Sequence, residues 1–274
     1  MSKNSVGVEV FKGFDIKYPE YSVITPHTLK EFTIRSLTVQ EEETLKASML
    51  TPSKLAEHLN KVIFTCIVKK PDSIKTFDDF LNNLTIKDRD ALMYGLYHVT
   101  YKDIHNYDVT CTSCDTTNSV KVDFLKSFKA QFWASDKPED SILKKEIPVK
   151  FEIARDITAI IVQPKLIDEQ NVLKETAFAS ETARDLNLEL LVIKRFEIDR
   201  KEAKTPDTIE DRNNISKGYK QLPVTDRKMI DTAYAENFGK YGVAIKTIVK
   251  CQKCGEENDV SIDLVKQFFR SIYI

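Results

Sequence analysis

Apolar and polar residues alternate between strand-like and helix-like spacing along the first half of the chain. Residues 22–37 alternate in part and predict two short strands separated by Pro26. Residues 38–49 open with a capping box and predict a helix. A second, deeply buried helix is predicted from residue 51 into the segment VIFTCIV, and a third from Lys87 to about Val99. Their apolar positions at helical spacing are Leu55, Leu59, Val62, Ile63, Leu92, Leu96 and Val99.

Two closely similar segments follow this pattern, one in each half of the chain. VTCTSCDTTNSVKVDFLKSF begins at Val109 and VKCQKCGEENDVSIDLVKQF begins at Val249, and the two align without a gap. In each, a C-x-x-C pair lies between two strand-like runs, which predicts a β-hairpin whose turn carries both cysteines. We expect a short amphipathic helix after the first hairpin, at residues 124–133.

Weaker matches occur upstream in the same order. LIDEQNVLK from Leu166 matches LTVQEEETLK from Leu37, and LPVTDR from Leu222 matches LTIKDR from Leu84. We therefore predict an α+β fold made by tandem duplication of a helix-rich unit with small β pieces, each copy ending in a zinc-knuckle β-hairpin. The predicted organisation is an N-terminal arm (1–20), repeat 1 (21–135), a linker (136–146) and repeat 2 (147–274), with an insertion loop at about 200–220.

The cysteines of the two hairpins have the chemistry of a structural zinc site. Zinc prefers four tetrahedral ligands, and neither hairpin has a histidine at the spacing needed to complete a private site. Our hypothesis is one Zn²⁺ per chain in a four-cysteine zinc ribbon shared by the repeats, with Cys111, Cys114, Cys251 and Cys254 as ligands. Four cysteine ligands leave no open position for catalysis. A thioredoxin-like redox pair and metal-free thiols or disulfides are the alternatives.

Composition narrows the class of protein. Lys+Arg total 41 against Asp+Glu 42, and this balance makes nucleic acid an unlikely partner. The chain has 7 glycines and none of the Gly-rich phosphate loops. No apolar run approaches the length of a membrane segment or has the form of a signal peptide, so we expect a protein made in a reducing cytoplasm. No catalytic triad is recognisable, which predicts that the protein is not an enzyme.

The sequence also predicts the location or role of several single residues. We expect His27, His58 and His98 on the surface or on helix faces, and Cys66 as a buried core thiol. The Asp88–Arg89 and Asp226–Arg227 pairs are each expected to be a helix-capping acid followed by a solvated or paired arginine. The aromatic C-terminus is either part of the core or a docking element for another subunit. Its apolar residues are Phe268, Phe269, Ile272 and Tyr273.

Over about residues 20–130 the chain resembles the baseplate hub and hub-assembly proteins of T-even-like contractile-tailed bacteriophages, and the second copy resembles them more faintly. The resemblance rests on four segments: FTIRSLTVQEEETLK from Phe32, LNKVIFTCIV from Leu59, FDDFLNNLTIKDRDALMYGLY from Phe77 and YDVTCTSCDTTNSVKV from Tyr107. It implies a non-enzymatic virion or assembly component, assembled in the host cytoplasm into the tail baseplate and bound to other baseplate subunits.

Two functions from other classes stay open on the sequence alone. One is a zinc-ribbon nucleic-acid-binding or transcription-associated protein, because lysines flank both cysteine pairs and could form a local basic face. These lysines are Lys121, Lys126, Lys129, Lys246, Lys250, Lys253 and Lys266. The other is a thiol redox enzyme.

Overall fold

The computed structural model describes residues 16–48, 52–101, 104–134, 141–200, 205–263 and 266–268, and it has a mixed α/β architecture. Its strands are β1 (Glu20–Ile24), β2 (Glu31–Arg35), β3 (Ile67–Lys69), β4 (Ile104–Thr110), β5 (Thr117–Asp123), β6 (Phe128–Gln131), β7 (Ile147–Lys150), β8 (Ile157–Ile161), β9 (Ile193–Ile198), β10 (Asp207–Ile209), β11 (Gly242–Lys250) and β12 (Glu257–Ile262). Its α-helices are α1 (Val39–Ser48), α2 (Pro52–Cys66), α3 (Phe77–Asn83), α4 (Ile86–Thr100), α5 (Phe124–Ser127), α6 (Leu166–Glu175), α7 (Glu181–Glu189), α8 (Arg212–Gln221) and α9 (Val224–Tyr234). None of these helices is long and apolar enough to cross a membrane.

The helices of the first half follow the sequence pattern closely. The capping box that precedes α1 is present, with the Glu41 carboxylate accepting from the Thr38 N–H at 2.8 Å. Helix α2 buries Leu59, Ile63 and Cys66, so the expectation of a core thiol at Cys66 is confirmed. Helix α4 begins at a second capping box, in which the Thr85 hydroxyl accepts from the N–H of its third residue.

The two halves of the chain have the same order of elements. Each contains a β-hairpin, two helices, a third strand, two more helices and a second β-hairpin. In the first half the three strands form the sheet β1-β2-β3, and in the second half they form β7-β8-β9, which β10 extends at the β9 edge. All pairings are antiparallel. The second hairpins are β4–β5 and β11–β12.

A buried carboxylate occupies the same place in both halves. Asp88, the third residue of α4, accepts backbone N–H bonds from His27 at 2.9 Å and Thr28 at 3.2 Å. Asp226, the third residue of α9, accepts backbone N–H bonds from residues 152, 153 and 154 at 3.1, 3.1 and 2.9 Å. Each carboxylate is fully buried and therefore fixes the loop that follows the first strand of its own half.

Two hydrophobic cores lie beneath these elements, and the second half contributes to both. The first core is built mainly from β1, β2 and α1–α5, yet it also contains Ile245 and Ile262 of the β11–β12 hairpin. The second core lies under β7–β9, α8 and α9. A buried ion pair between Arg89 of α4 and Glu169 of α6 also joins the halves. Arg89 is thus paired, which is one of the two states predicted for it, and its partner lies in the other half.

The prediction of a helix at residues 124–133 is wrong for most of its length. Only Phe124–Ser127 is helical, with the Asp123 carboxylate accepting from the Lys126 N–H at 3.2 Å. The chain then forms β6, which pairs antiparallel with β11 from Phe128↔Ile245 to Gln131↔Gly242. The partner strand lies more than a hundred residues away in sequence, so tertiary pairing overrides the local helical pattern.

Other expectations are corrected in the second half and at His27. The insertion at about 200–220 is not a loop where it is described, because β10 extends the sheet and α8 buries Ile215 and Tyr219. Part of the predicted linker forms a 3₁₀ helix, Ile142–Lys144, whose first residue is buried. His27 is buried rather than on the surface. Most of the predicted N-terminal arm, residues 1–15, lies outside the described residues.

Candidate metal centre

The four hairpin cysteines come together where the tips of β4–β5 and β11–β12 meet. Their sulfur atoms all lie within 4.8 Å of one another. The Cys111 and Cys254 sulfurs are 3.6 Å apart, and the Cys114 and Cys251 sulfurs are 3.7 Å apart. Both of these short distances join one hairpin to the other. The arrangement is therefore one cluster of four thiols rather than two separate pairs.

Each cysteine pair lies in a tight turn with the same backbone bonds. In the first turn the Cys111 N–H donates to the Thr116 carbonyl at 3.0 Å and the Asp115 N–H donates to the Cys111 carbonyl at 3.1 Å. The Cys251 turn repeats both bonds at 2.8 and 3.0 Å. The residue after the second cysteine has a positive φ in both, 54° at Asp115 and 79° at Gly255. This conformation explains the residue types there.

Two buried asparagines hold the hairpins together in a reciprocal arrangement. The Asn118 side chain accepts the Gln252 N–H at 2.9 Å and donates to the Cys251 sulfur at 3.7 Å. The Asn258 side chain accepts the Thr112 N–H at 2.9 Å and donates to the Cys111 sulfur at 3.7 Å. Each asparagine therefore reaches from its own hairpin into the turn of the other and contacts a sulfur there.

Backbone N–H groups lower the pKa of two of the thiols. The pKa of Cys111 is lowered chiefly by the Ser113 N–H, and the pKa of Cys251 is lowered to about 6 chiefly by the Cys254 N–H. The Glu256 N–H acts on Cys254 in the same direction, but the bond with Cys114, desolvation and the bonds with Cys111 and Cys251 together outweigh it and raise the pKa of Cys254 to about 12. Four thiolates this close repel one another, so full ionisation of the cluster needs a bound cation.

The geometry fits a tetrahedral zinc site. A tetrahedron with zinc–sulfur bonds of about 2.3 Å has sulfur–sulfur edges of about 3.8 Å, close to the two inter-hairpin distances. Disulfides need sulfurs at about 2.05 Å, and all four cysteines are free. Neither pair begins a helix, unlike a thioredoxin-like motif. The four thiolates could hold one Zn²⁺ with no open position, while the Asn118 and Asn258 amides and the backbone N–H groups of the turns donate to the sulfurs.

Sequence reasoning named the four cysteines and missed the asparagines. The sequence did contain an indication of their role, because Asn118 and Asn258 occupy the same position when the two hairpin segments are aligned. A polar residue that recurs at one strand position of a metal hairpin is a natural candidate for orienting the ligands. The alignment could not show that each asparagine contacts the opposite turn, since that depends on how the hairpins face each other.

Of the four apolar residues predicted at the C-terminus, Phe268 lies in the core and the other three lie outside the described residues. Phe268 is fully buried in the first core, with ring centroids 6.4 Å from Tyr97 and 6.2 Å from Tyr101. It therefore does not form an exposed docking surface in this structure. The other residues predicted there, Phe269, Ile272 and Tyr273, lie outside the described residues.

Comparisons with known proteins identify the family. No curated protein and no solved structure matches the chain significantly. The protein family described as T4 bacteriophage base plate protein matches residues 18–270, nearly the whole chain and both cysteine hairpins. The chain therefore belongs to the T4 bacteriophage base plate protein family.

Proposed function

We propose that this protein is a non-enzymatic structural or assembly component of the hub region of a phage tail baseplate, stabilised by one structural zinc and acting through protein–protein contacts. Family membership supports a structural component of the tail baseplate, with other tail subunits as its partners and the virion tail as its location. The observation that carries the proposal is the closed four-cysteine cluster between the two halves. Assembly would take place in the host cytoplasm.

The zinc would act as a cross-link within the chain. Its ligands come from hairpins 140 residues apart in sequence, and both hairpins end in strands that pack on the first core. Metal binding would then stabilise the contact between the halves, and its free energy would add to the free energy of folding. A protein that transmits or bears load within a tail needs such a contact to persist.

We also propose that the two halves arose by tandem duplication. The common order of elements supports this, as do Asp88 and Asp226, which fix equivalent loops at equivalent helix positions. The reciprocal asparagines support it further, because an approximate twofold relation between the hairpins makes such reciprocity natural. Divergence between the copies is concentrated before α8, where the second half contains β10.

Metal analysis tests the shared site. Native mass spectrometry of the purified full chain should find one zinc per chain, and the double variant Cys251→Ser/Cys254→Ser should bind none. Cys66→Ala is the matched control, because this cysteine is buried in the core away from the cluster, and it should keep the metal. Two zincs per wild-type chain, or one zinc retained by the double variant, would contradict a single site shared by both hairpins.

Association with the phage tail tests the function itself. Affinity-tagged protein recovered from infected cells should carry other baseplate subunits with it, and recovery of none would overturn the baseplate role. A salt-sensitive gel shift with DNA or RNA would instead favour the nucleic-acid-binding alternative. Disulfide exchange by the reduced, metal-free protein would favour the redox alternative.

A further inference from the structure

Four lysines line a cleft where the two halves meet. Lys87 comes from the first turn of α4, Lys129 from β6, Lys240 from the turn before β11 and Lys246 from β11 itself. The cleft has a volume of about 330 Å³. We call it the lysine cleft. The sequence already placed Lys129 and Lys246 in a possible basic face beside the cysteine pairs, but Lys87 and Lys240 join them only because β6 pairs with β11.

The positive charge of the lysine cleft is only partly balanced nearby, because Asp90, which lines a neighbouring pocket, interacts electrostatically with Lys87 alone among the four lysines. Among the residues that the structure describes, no acidic side chain lines the cleft, and no ion pair involves any of its four lysines. Asp259 lies in the adjoining groove beside Lys129 and Lys246. The whole chain has a net charge of −1, so this concentration of cations is local. Such a surface attracts an anionic partner.

Strand β6, which lines the lysine cleft, is also the edge strand of its sheet. Within the described residues, β6 is the last strand of the sheet β12-β11-β6 and pairs on one side only. Lys129, Ala130 and Gln131 are exposed. Its outer edge therefore presents backbone N–H and C=O groups that an extended peptide could pair with, as in other cases of strand addition.

We propose that the lysine cleft and the outer edge of β6 bind an extended acidic segment of a neighbouring protein. The backbone of the segment would pair with β6, and its carboxylates would lie against the four lysines. The inference depends on the proposed function only for the source of the segment, which would be another baseplate subunit.

The lining favours an acidic peptide over a nucleic acid. No arginine lines the cleft, so the bidentate guanidinium contacts typical of phosphate recognition are absent from its described lining. Among the described residues that line the cleft, Tyr241 is the one aromatic residue. That ring already contacts Trp133, with centroids 5.1 Å apart, and has the Lys240 ammonium 5.2 Å from its centroid. It is therefore not a free platform for base stacking.

Fluorescence anisotropy with the full-length, zinc-loaded protein tests the inference. The probe is a labelled dodecapeptide of alternating Glu and Thr, which presents its carboxylates on one face of an extended strand. The cleft variant is Lys129→Glu/Lys246→Glu. The control variant, Lys121→Glu/Lys228→Glu, makes the same change in charge at two exposed lysines outside the cleft. Both variants are first checked for wild-type metal content and circular dichroism.

We expect the peptide to bind at low ionic strength and the cleft variant to weaken binding at least tenfold, with the control variant within about twofold of wild type. Binding should also fall steeply as the Debye length shortens towards about 10 Å near 0.1 M salt. Methylation of alternate backbone nitrogens in the peptide should abolish binding, because it removes the N–H groups that pair with β6. Undiminished binding of the methylated peptide would overturn strand addition.

Two further results would overturn the inference. One is equal loss of peptide binding in the cleft and control variants. The other is tighter binding of an oligothymidylate of equal charge, lost in the cleft variant, which would assign the surface to nucleic acid. Recovery from infected cells separates this inference from the proposed function. If the cleft variant and wild type recover the same baseplate subunits and neither binds the peptide, only the present inference fails.

Discussion

The reciprocal asparagines give the sharpest test of the proposed metal site, because they should affect zinc binding without being ligands. We consider Asn118→Ala, which removes a side chain that is 2% exposed. The variant loses the N–H bond to the Cys251 sulfur and the acceptor for the Gln252 N–H, both in the other hairpin, and also the N–H bonds to the Val109 and Thr116 carbonyls of its own hairpin. The alanine leaves all four cysteines in place. Zinc should therefore still bind, but with lower affinity.

The size of the loss in zinc affinity follows from the two bonds that cross to the other hairpin. A hydrogen bond to a charged group contributes about 1.5–3 kcal/mol, and the thiolate is charged only when its proton is lost, as it is in the zinc complex. Gln252 is an exposed residue, so water can replace the acceptor that its N–H loses, and that loss adds little. We expect a cost of about 1.4–2.8 kcal/mol, or about 10- to 100-fold in zinc affinity, the usual range for residues that orient metal ligands.

Competition with a chromophoric zinc chelator measures this affinity directly. Asn258→Ala should behave like Asn118→Ala, because its contacts are the same in the opposite direction. Asn187→Ala is the control, since that side chain donates to the Ala183 carbonyl within α7, outside both hairpins. Zinc affinities of both hairpin variants within twofold of wild type would refute the reasoning. A loss confined to one of them would refute the reciprocity.

Two further predictions concern packing and pH. Gly95→Ala should lower the free energy of unfolding by about 1–3 kcal/mol, because a Cβ there would lie 2.4 Å from Val23 Cγ2. Gly218→Ala should instead raise the free energy of unfolding by about 0.5–1 kcal/mol, because the nearest atom to a Cβ there is 3.6 Å away. Urea unfolding of the two variants measures both changes, and equal changes would contradict the packing argument. Burial, opposed by the charge of Asp88, lowers the pKa of His27 below 6.5. As the pH falls below 6.5 the unfolded chain takes up this proton before the folded chain does, so the free energy of unfolding falls on acidification. His27→Gln should reduce that fall, measured by urea titrations at about pH 7.5 and about pH 5.5. An unchanged difference between the two pH values would contradict the role given to His27.

Local patterns in the sequence were sufficient for the elements that depend on neighbouring residues. The capping boxes, helix α2 with its buried Cys66 and the hairpin turns around the cysteine pairs were all predictable, since each follows from residues within a few positions of one another. The grouping of the four cysteines was also predictable, because each hairpin supplies only two ligands and neither has a histidine that could complete a four-ligand site of its own.

Features that depend on distant contacts could not be predicted in the same way. Strand β6 has a helical apolar pattern and becomes a strand only because β11 lies beside it. His27 looked like an isolated surface residue, yet it is buried because the Thr85 hydroxyl and the Tyr241 carbonyl surround its ring at 3.0 and 3.3 Å. Both contacts come from residues far along the chain, and no local spacing indicates them.

The pairing of β6 with β11, together with the mixed cysteine cluster, makes each half complete only in the presence of the other. Two separate molecules, each equal to one half, would have to find each other to form these contacts and would lose them on dilution. Within one chain the second half is held at an effective concentration of about millimolar. Occupancy of the metal centre should therefore not depend on protein concentration, which suits a subunit that has to keep its shape before its partners arrive.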